Sequence, residues 1–179
     1  TFDVYIDVDP GSGTGARRLL EGRNASLAKG SGWEYAVWVE GWHQKLIVPD
    51  ATGKPVEVAG SPVKAIVNAA KREVTILVSK KALAGLDPAK AAYVGVVASQ
   101  EGYPAAGVRR IREVQAQAAQ WRIGGAPADT NHTRILDVAW PAAAAPTQER
   151  FLSAYPPSQA AAMDALTADD FALVPMILP

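Results

Sequence analysis

The sequence contains no cysteine, which removes disulfide bridges, thiolate metal centres, iron–sulfur clusters and thiol nucleophiles from consideration. It has only two histidines, His43 and His132, far apart and without a second ligating side chain two or four positions away. Neither a catalytic zinc nor a histidine-activated nucleophile is indicated. An excess of charge is also lacking: 18 Lys and Arg balance 18 Asp and Glu, and the basic pairs Arg17-Arg18, Lys71-Arg72, Lys80-Lys81 and Arg109-Arg110 are scattered. Nucleic-acid binding needs a local cationic surplus that releases counterions, and no such stripe exists here. The longest apolar runs, residues 91–99 and 139–146, fall far short of the roughly 20 residues of a membrane span, so the reading is of a soluble chain. It opens at Thr1 inside a strand pattern, with no Met and no signal peptide, as expected of a mature product, an excised module or a fragment.

What is present is a 179-residue chain, 49% apolar, long enough for one sizeable core and short for two independent ones. Phe2, Val4, Ile6 and Val8 alternate with Asp3, Tyr5, Asp7 and Asp9, the period of two of a half-buried strand that ends at Asp9-Pro10. Two stretches follow, 10–15 and 22–32, too broken by glycine for a long helix. From Trp33 the alternation resumes: Tyr35, Val37 and Val39 point one way, and Glu34, Ala36, Trp38, Glu40 and Trp42 the other. Leu46 to Val48 reads as a short strand, 63–68 and 73–79 as a hairpin, and the apolar 92–99 as a central strand of a covered sheet. Helix is expected over Glu113 to Trp121, on composition, and over Pro146 to Tyr155, with Thr147 as cap. One or two helical turns fit 80–86, and a last strand is read over 171–178. Many short strands, glycine- and proline-rich turns and few helices predict an all-β fold: a mostly antiparallel β-sandwich with a few short helices, one module over residues 1–179.

Gly11-Ser12-Gly13-Thr14-Gly15-Ala16 matches a dinucleotide fingerprint placed after a strand, with Glu34 near the distance of a ribose acid. The context contradicts it. That fold needs a strand buried on both faces and a crossover helix, whereas Asp3, Asp7 and Asp9 give the first strand a wet face and 17–21 is too short for such a helix. The run reads as a connecting loop. The carboxylates leave two readings open: a solvated strand face, or an oxygen-only calcium site in which Asp7 and Asp9 bind together with carbonyls from Pro10 to Gly13. Calcium is the only cofactor the sequence suggests. Ser12, Ser26 and Ser99 lack a nucleophile-elbow context. Asn24-Ala25-Ser26 and Asn131-His132-Thr133 match glycosylation sequons by pattern.

Five tryptophans, Trp33, Trp38, Trp42, Trp121 and Trp140, are the most informative set. A pyranose offers an apolar C–H face and a rim of hydroxyls, so a sugar site wants an exposed flat ring beside amide, carboxylate or guanidinium groups. Trp38 and Trp42 share a strand face with Glu34 and Glu40, which would make a sugar platform. The alternative is that these rings are sandwich core, where most tryptophan surface goes.

Several segments in register, Phe2-Asp3-Val4-Tyr5-Ile6-Asp7, Leu20-Glu21-Gly22-Arg23-Asn24-Ala25, Trp33-Glu34-Tyr35-Ala36-Val37 and Val39-Glu40-Gly41-Trp42, resemble the C-terminal module of glucodextranases and related bacterial pullulanases. Ser99-Gln100-Glu101-Gly102-Tyr103, Arg109-Arg110, Gln120-Trp121-Arg122-Ile123-Gly124-Gly125 and Ile135-Leu136-Asp137, with Gln148 and Leu152, extend the resemblance over most of residues 2–155. It implies a DOMON-like β-sandwich without catalysis of its own, attached to the catalytic domain of a secreted or cell-surface bacterial α-glucan hydrolase. Its partner would be an α-glucan or a cell-surface glycan. Trp42 and Trp38 would then supply stacking rings, Glu40 and Gln100 hydroxyl partners, and Tyr103, Arg109 and Trp121 a second set on neighbouring loops. A purely structural packing domain is the alternative. A haem or other small-molecule pocket, which some DOMON relatives have, is disfavoured because Met163, Met176, His43 and His132 are poorly placed for an axial pair. Modules of this kind begin several strands upstream of the Phe2 strand. The chain is therefore expected to lack those strands, and an upstream segment, a partner chain or a crystal neighbour to cover the apolar face left bare.

Overall fold

The alternation that opens the chain builds the middle of a sheet. In the computed structural model, which describes residues 1–105, 108–120, 122–160 and 162–178, the strands are β1 (Phe2–Asp7), β2 (Ala25–Leu27), β3 (Tyr35–Val39), β4 (Gln44–Pro49), β5 (Pro55–Glu57), β6 (Val63–Asn68) and β7 (Glu73–Val78). They continue as β8 (Ala92–Ala98), β9 (Gln100–Ala105), β10 (Val108–Ile111), β11 (Glu113–Val114), β12 (Arg122–Ile123), β13 (Ile135–Val138) and β14 (Ala172–Val174), with one α-helix, α1 (Gln148–Ser153), and 3-10 turns at Met163–Ala165 and Ala168–Asp170. The principal sheet runs β13-β8-β1-β3-β4-β5 with antiparallel neighbours throughout.

Both faces of this sheet are covered, which makes the all-β sandwich the sequence predicts. On one face Tyr5, Ala36, Val94 and Val96 pack with Trp33, Leu20, Leu27, Phe151 and Val174, so β2, β14 and α1 close that side. On the other, Val37, Val39 and Leu46 meet Val63, Ala65, Ile76 and Val78 of the β6–β7 hairpin, with Val4 packed alongside. β1 is thus sandwiched between two layers, and the wet face expected for Asp3 and Asp7 does not exist: both are buried, and only Asp9, past the strand end, is exposed. Antiparallel neighbours on both sides of β1 leave no crossover for a nucleotide fold. The glycines after β1 serve close packing instead. A Cβ on Gly32 would lie 1.8 Å from the Thr14 carbonyl oxygen, and one on Gly15 2.4 Å from Glu34 Oε1.

Other expectations divide along physical lines. Thr147 caps α1 by accepting from Arg150 N–H at 3.4 Å, and the helix buries Phe151 against the core. The helix expected over Glu113 to Trp121 does not form: Glu113 and Val114 pair in parallel with Arg122 and Ile123, and residues 116–120 are exposed. That glutamine- and alanine-rich run has no apolar stripe to hold a helix against the fold. The last strand shortens to β14, joined by a bridge between Tyr93 and Ile177. β2, three buried residues inside a glycine-broken loop, is too short to show a period.

The hairpin projects past the sheet it covers. Val67 and Val74, opposite each other in the ladder, are 71% and 60% exposed, although Ala65 and Ile76 on the same face are packed. Val67→Thr and Val74→Thr should each change unfolding free energy by no more than about 0.5 kcal/mol, whereas Leu46→Ala should cost about 2–5 kcal/mol in denaturant titrations.

Candidate functional site

The site is built on a buried ion pair. The turn after Leu20 brings Arg23 over β1, and its guanidinium grips Asp3 with two bonds, Nε to Oδ2 at 2.7 Å and Nη2 to Oδ1 at 3.0 Å. Its remaining Nη1 donates to the Glu21 carbonyl at 2.8 Å. The Tyr5 hydroxyl donates to Asp3 at 3.3 Å and accepts from Leu20 N–H at 3.1 Å, locking the turn to the strand. Burial disfavours the Arg23 cation, but Asp3, Tyr5 and Glu40 outweigh that and hold its proton more tightly than usual. Burial, reinforced by the Asp3 charge, pushes the Tyr5 phenol well above its ordinary value.

Above this floor sits Trp38. Arg23 lies 5.3 Å from its ring centre and Lys45 5.6 Å, while the indole N–H donates to the Thr1 hydroxyl at 3.1 Å. The turn between β3 and β4 then carries Glu40, Trp42 and His43, closed by Glu40 N–H donating to the His43 carbonyl at 2.9 Å. Glu40 is buried. Its Oε2 accepts from Gln100 Nε2, reaching across from β9, while Oε1 has no hydrogen-bond partner among the described residues and His43 Nε2 approaches it only to 3.7 Å. His43 also tilts against Trp38, with ring centres 6.3 Å apart. Trp42 is 60% exposed at the tip of the turn.

Four expected residues, Trp38, Glu40, Trp42 and Gln100, therefore meet at one end of the sheet. Tyr103 and Arg109 belong to β9 and β10, the hairpin that begins at Gln100, and their side chains, like Trp121, lie outside the described residues. Arg23 and His43 belong to the cluster and were not expected. Arg23 stands within a quoted family segment, but nothing in its spacing ties it to Asp3. Trp33 is core: it is fully buried, edge-on to Tyr5 at 5.8 Å, and its N–H is taken by the Arg18 carbonyl at 2.8 Å. Trp140 packs edge-on against Phe151 at 5.7 Å.

A second constellation lies at the opposite end of β1. Asp7, Asp9 and Glu34 bring carboxylate oxygens within 4.8 Å of one another, an arrangement that could hold a metal ion. Glu34 accepts from Val8 N–H at 2.9 Å, Asp7 from Gly32 N–H at 3.1 Å, and the Thr14 hydroxyl stands 2.7 Å from Asp9 and 3.0 Å from Glu34. Burial raises the pKa of both Asp7 and Glu34, the backbone donors opposing it. Sequence pointed to Asp7 and Asp9. Glu34, which resembled a ribose acid by distance, completes the set through the tight packing of Gly15 and Gly32.

The sequon asparagines are occupied in packing. Asn24 donates to the carbonyls of Thr130 and His132 at 3.1 and 2.9 Å. Fully buried Asn131 donates to the Pro156 carbonyl at 2.8 Å and to the Asp170 carbonyl, and accepts from Ser158 N–H at 3.0 Å. Beside it His132 Nδ1 meets the Tyr155 hydroxyl, which contacts Asp129 at 3.3 Å. Burial lowers the His132 pKa, with Asp129 opposing.

Compared with protein families, residues 1–167 match the model of the C-terminal binding module, SLH-like, of glucodextranase. No curated protein and no solved structure matches the chain.

Two outcomes test this description. Arg23→Met should destabilise the chain by about 3–5 kcal/mol by stranding Asp3, and Asp3→Asn added to it should recover part of the loss in a denaturant double-mutant cycle. His132 binds its proton less tightly when folded, so its contribution is complete above its ordinary value near pH 6.5 and is lost as pH falls through its lowered one. The melting temperature of His132→Asn relative to the parent should accordingly rise as pH is lowered below about 6.5.

Proposed function

The chain belongs to the family of SLH-like C-terminal binding modules of glucodextranase, and from that premise we propose that it is a non-catalytic sugar-binding module that holds α-glucan through Trp42. The observation that carries this reading is the pairing at the β3–β4 turn. A broad indole stands exposed next to a buried carboxylate, Glu40, whose Oε1 lacks a hydrogen-bond partner among the described residues. The indole suits the C–H face of a pyranose, and a hydroxyl at that ring's edge would give Glu40 the donor it lacks. Trp38, stiffened by Arg23 and Lys45, backs the turn, and Gln100 orients Glu40. Tyr103, Arg109 and Trp121, whose side chains lie outside the described residues, are the further sugar contacts of this reading.

In this reading the module is joined to a glycoside hydrolase domain of the same polypeptide, has a DOMON-like sandwich akin to modules of bacterial pullulanases, and works outside the cell or at its surface. The exposed valines of the β6–β7 hairpin are then the place where further strands of the full protein continue the second layer.

The cluster of Asp7, Asp9 and Glu34 supports a second component, a calcium ion that fastens the loop after β1 to the segment before β3. Such an ion would offset the mutual repulsion of three carboxylates, two of which are already disfavoured as anions by burial. The packing-domain reading draws on Trp33, Trp38 and Trp140, whose indole N–H groups are all satisfied within the fold.

Trp42→Ala should abolish retention on dextran, pullulan or soluble starch in affinity electrophoresis while leaving the melting temperature nearly unchanged. Unaltered retention would leave the packing-domain role standing. Calcium at about a hundred times its dissociation constant should stabilise the chain by about 2.7 kcal/mol, and Glu34→Gln should remove most of that gain in thermal scans with and without chelator.

A further inference from the structure

A set of polar side chains on another part of the surface is left unused by the Trp42 site. Where the segment 128–134 meets β11 there is a cleft of about 230 Å³ walled by Glu113, Gln115, Thr130, His132, Arg134 and Met163. A neighbouring cleft of about 190 Å³ shares Arg134 and Met163 with it and continues past Arg18, Glu21 and Asp164. Together they reach the size of small-ligand sites, about 300–1,000 Å³.

The chemistry of the walls narrows what fits. Arg134 lines both clefts and is only partly exposed, yet among the described residues its guanidinium makes no ion pair and no hydrogen bond. A planar fork of five donors in such a position is normally engaged. Glu113 offers the complementary group. Its Oε2 takes Gln115 Nε2 at 3.2 Å and has Arg122 Nε at 3.3 Å, while Oε1 is unengaged among the described residues. His132, whose Nδ1 meets the Tyr155 hydroxyl, lines the same cleft. An anion entering here would face Glu113 and Asp129, and a cation would face Arg134. A neutral ligand whose polar groups both donate and accept satisfies the two signs at once. Adjacent hydroxyls donate to the carboxylate and accept from the guanidinium, while Val114 and Met163 meet C–H surface.

We propose that this cleft is a second binding subsite, which holds a vicinal diol of an uncharged sugar between the Glu113 carboxylate and the Arg134 guanidinium. The subsite rests on the sugar-binding reading above but is independent of Trp42, so one experiment separates them. The ¹⁵N-labelled chain is titrated with maltotriose and isomaltotriose, and with glucuronic acid and glucosamine as charged controls, in the parent, Trp42→Ala, Glu113→Gln and Arg134→Gln. The neutral oligosaccharides should shift the amide resonances of residues 113–115 and 130–134 in the parent and in Trp42→Ala alike. Glu113→Gln and Arg134→Gln should each weaken that response about ten-fold, the loss of roughly one charged hydrogen bond. Glu113 is partly exposed and its exchange for Gln keeps its shape, so this variant decides even where Arg134→Gln fails to fold. Shifts confined to the Trp42 turn, or unchanged binding by Glu113→Gln, overturn the subsite and leave the Trp42 reading intact. Preference for glucuronic acid or glucosamine over the neutral sugars overturns it as well, and no response to any neutral sugar overturns both.

Discussion

The bond between Arg23 and Asp3 is the constraint around which one end of this fold is arranged. Two charges have been taken out of water on the inner face of β1, and a buried carboxylate of that kind survives only when every lone pair has a donor. Arg23, Tyr5 and Thr1 supply them. To do so the turn at 20–24 must cross β1, Tyr5 must point its hydroxyl back along its own strand, and Trp38 must lie over the guanidinium. A hydrophobic pair of the same volume would hold the layers together at least as well. It would not fix the direction of the guanidinium, and through it the indole that backs the β3–β4 turn.

The tryptophans show how one residue type divides between core and surface. Trp33 closes the core against Tyr5, and Trp140 braces the helix through Phe151. Trp38 is intermediate, with one edge tied to Thr1 and its face to two cations. Trp42, on a tight turn with exposed neighbours, has no layer to enter. The gradient along β3 follows from its geometry: residues inside the ladder are covered by the layers on either side, whereas residues 41–43, at the tip of the turn beyond buried Glu40, are exposed.

Much of the candidate site was legible in the chain. The alternation from Trp33 to Trp42 placed Trp38 and Glu40 on one face, and the family segment beginning at Ser99 added Gln100, which bonds to Glu40. The carboxylate spacing in Asp7 and Asp9 marked half of the acidic cluster. What escaped were partners joined only by folding. Arg23 is 20 residues from Asp3, and Glu34 reaches Asp7 and Asp9 because two glycine-bearing loops pack without side chains between them. The helix expected near Glu113 failed for the converse reason, since local propensity had no buried face to support it.

Composition and periodicity by themselves determined the class of the molecule: short alternating strands, glycine and proline turns, one capped helix, and no cysteine for thiol chemistry. These depend on neighbours within a few residues, where the chain's own geometry decides. Tertiary structure alone decided which face of β1 met solvent, because a period of two marks two faces without saying whether one layer or two will cover them. The same holds for the acids. Asp3 became a buried ion-pair anchor, Asp7 part of a three-carboxylate cluster and Asp9 an exposed rim group, though sequence spacing made them equivalent. Their fates were set by what folded over them, Arg23 on one and Gly32 on the next, and a charge's cost and role depend on that surrounding rather than on its place in the chain.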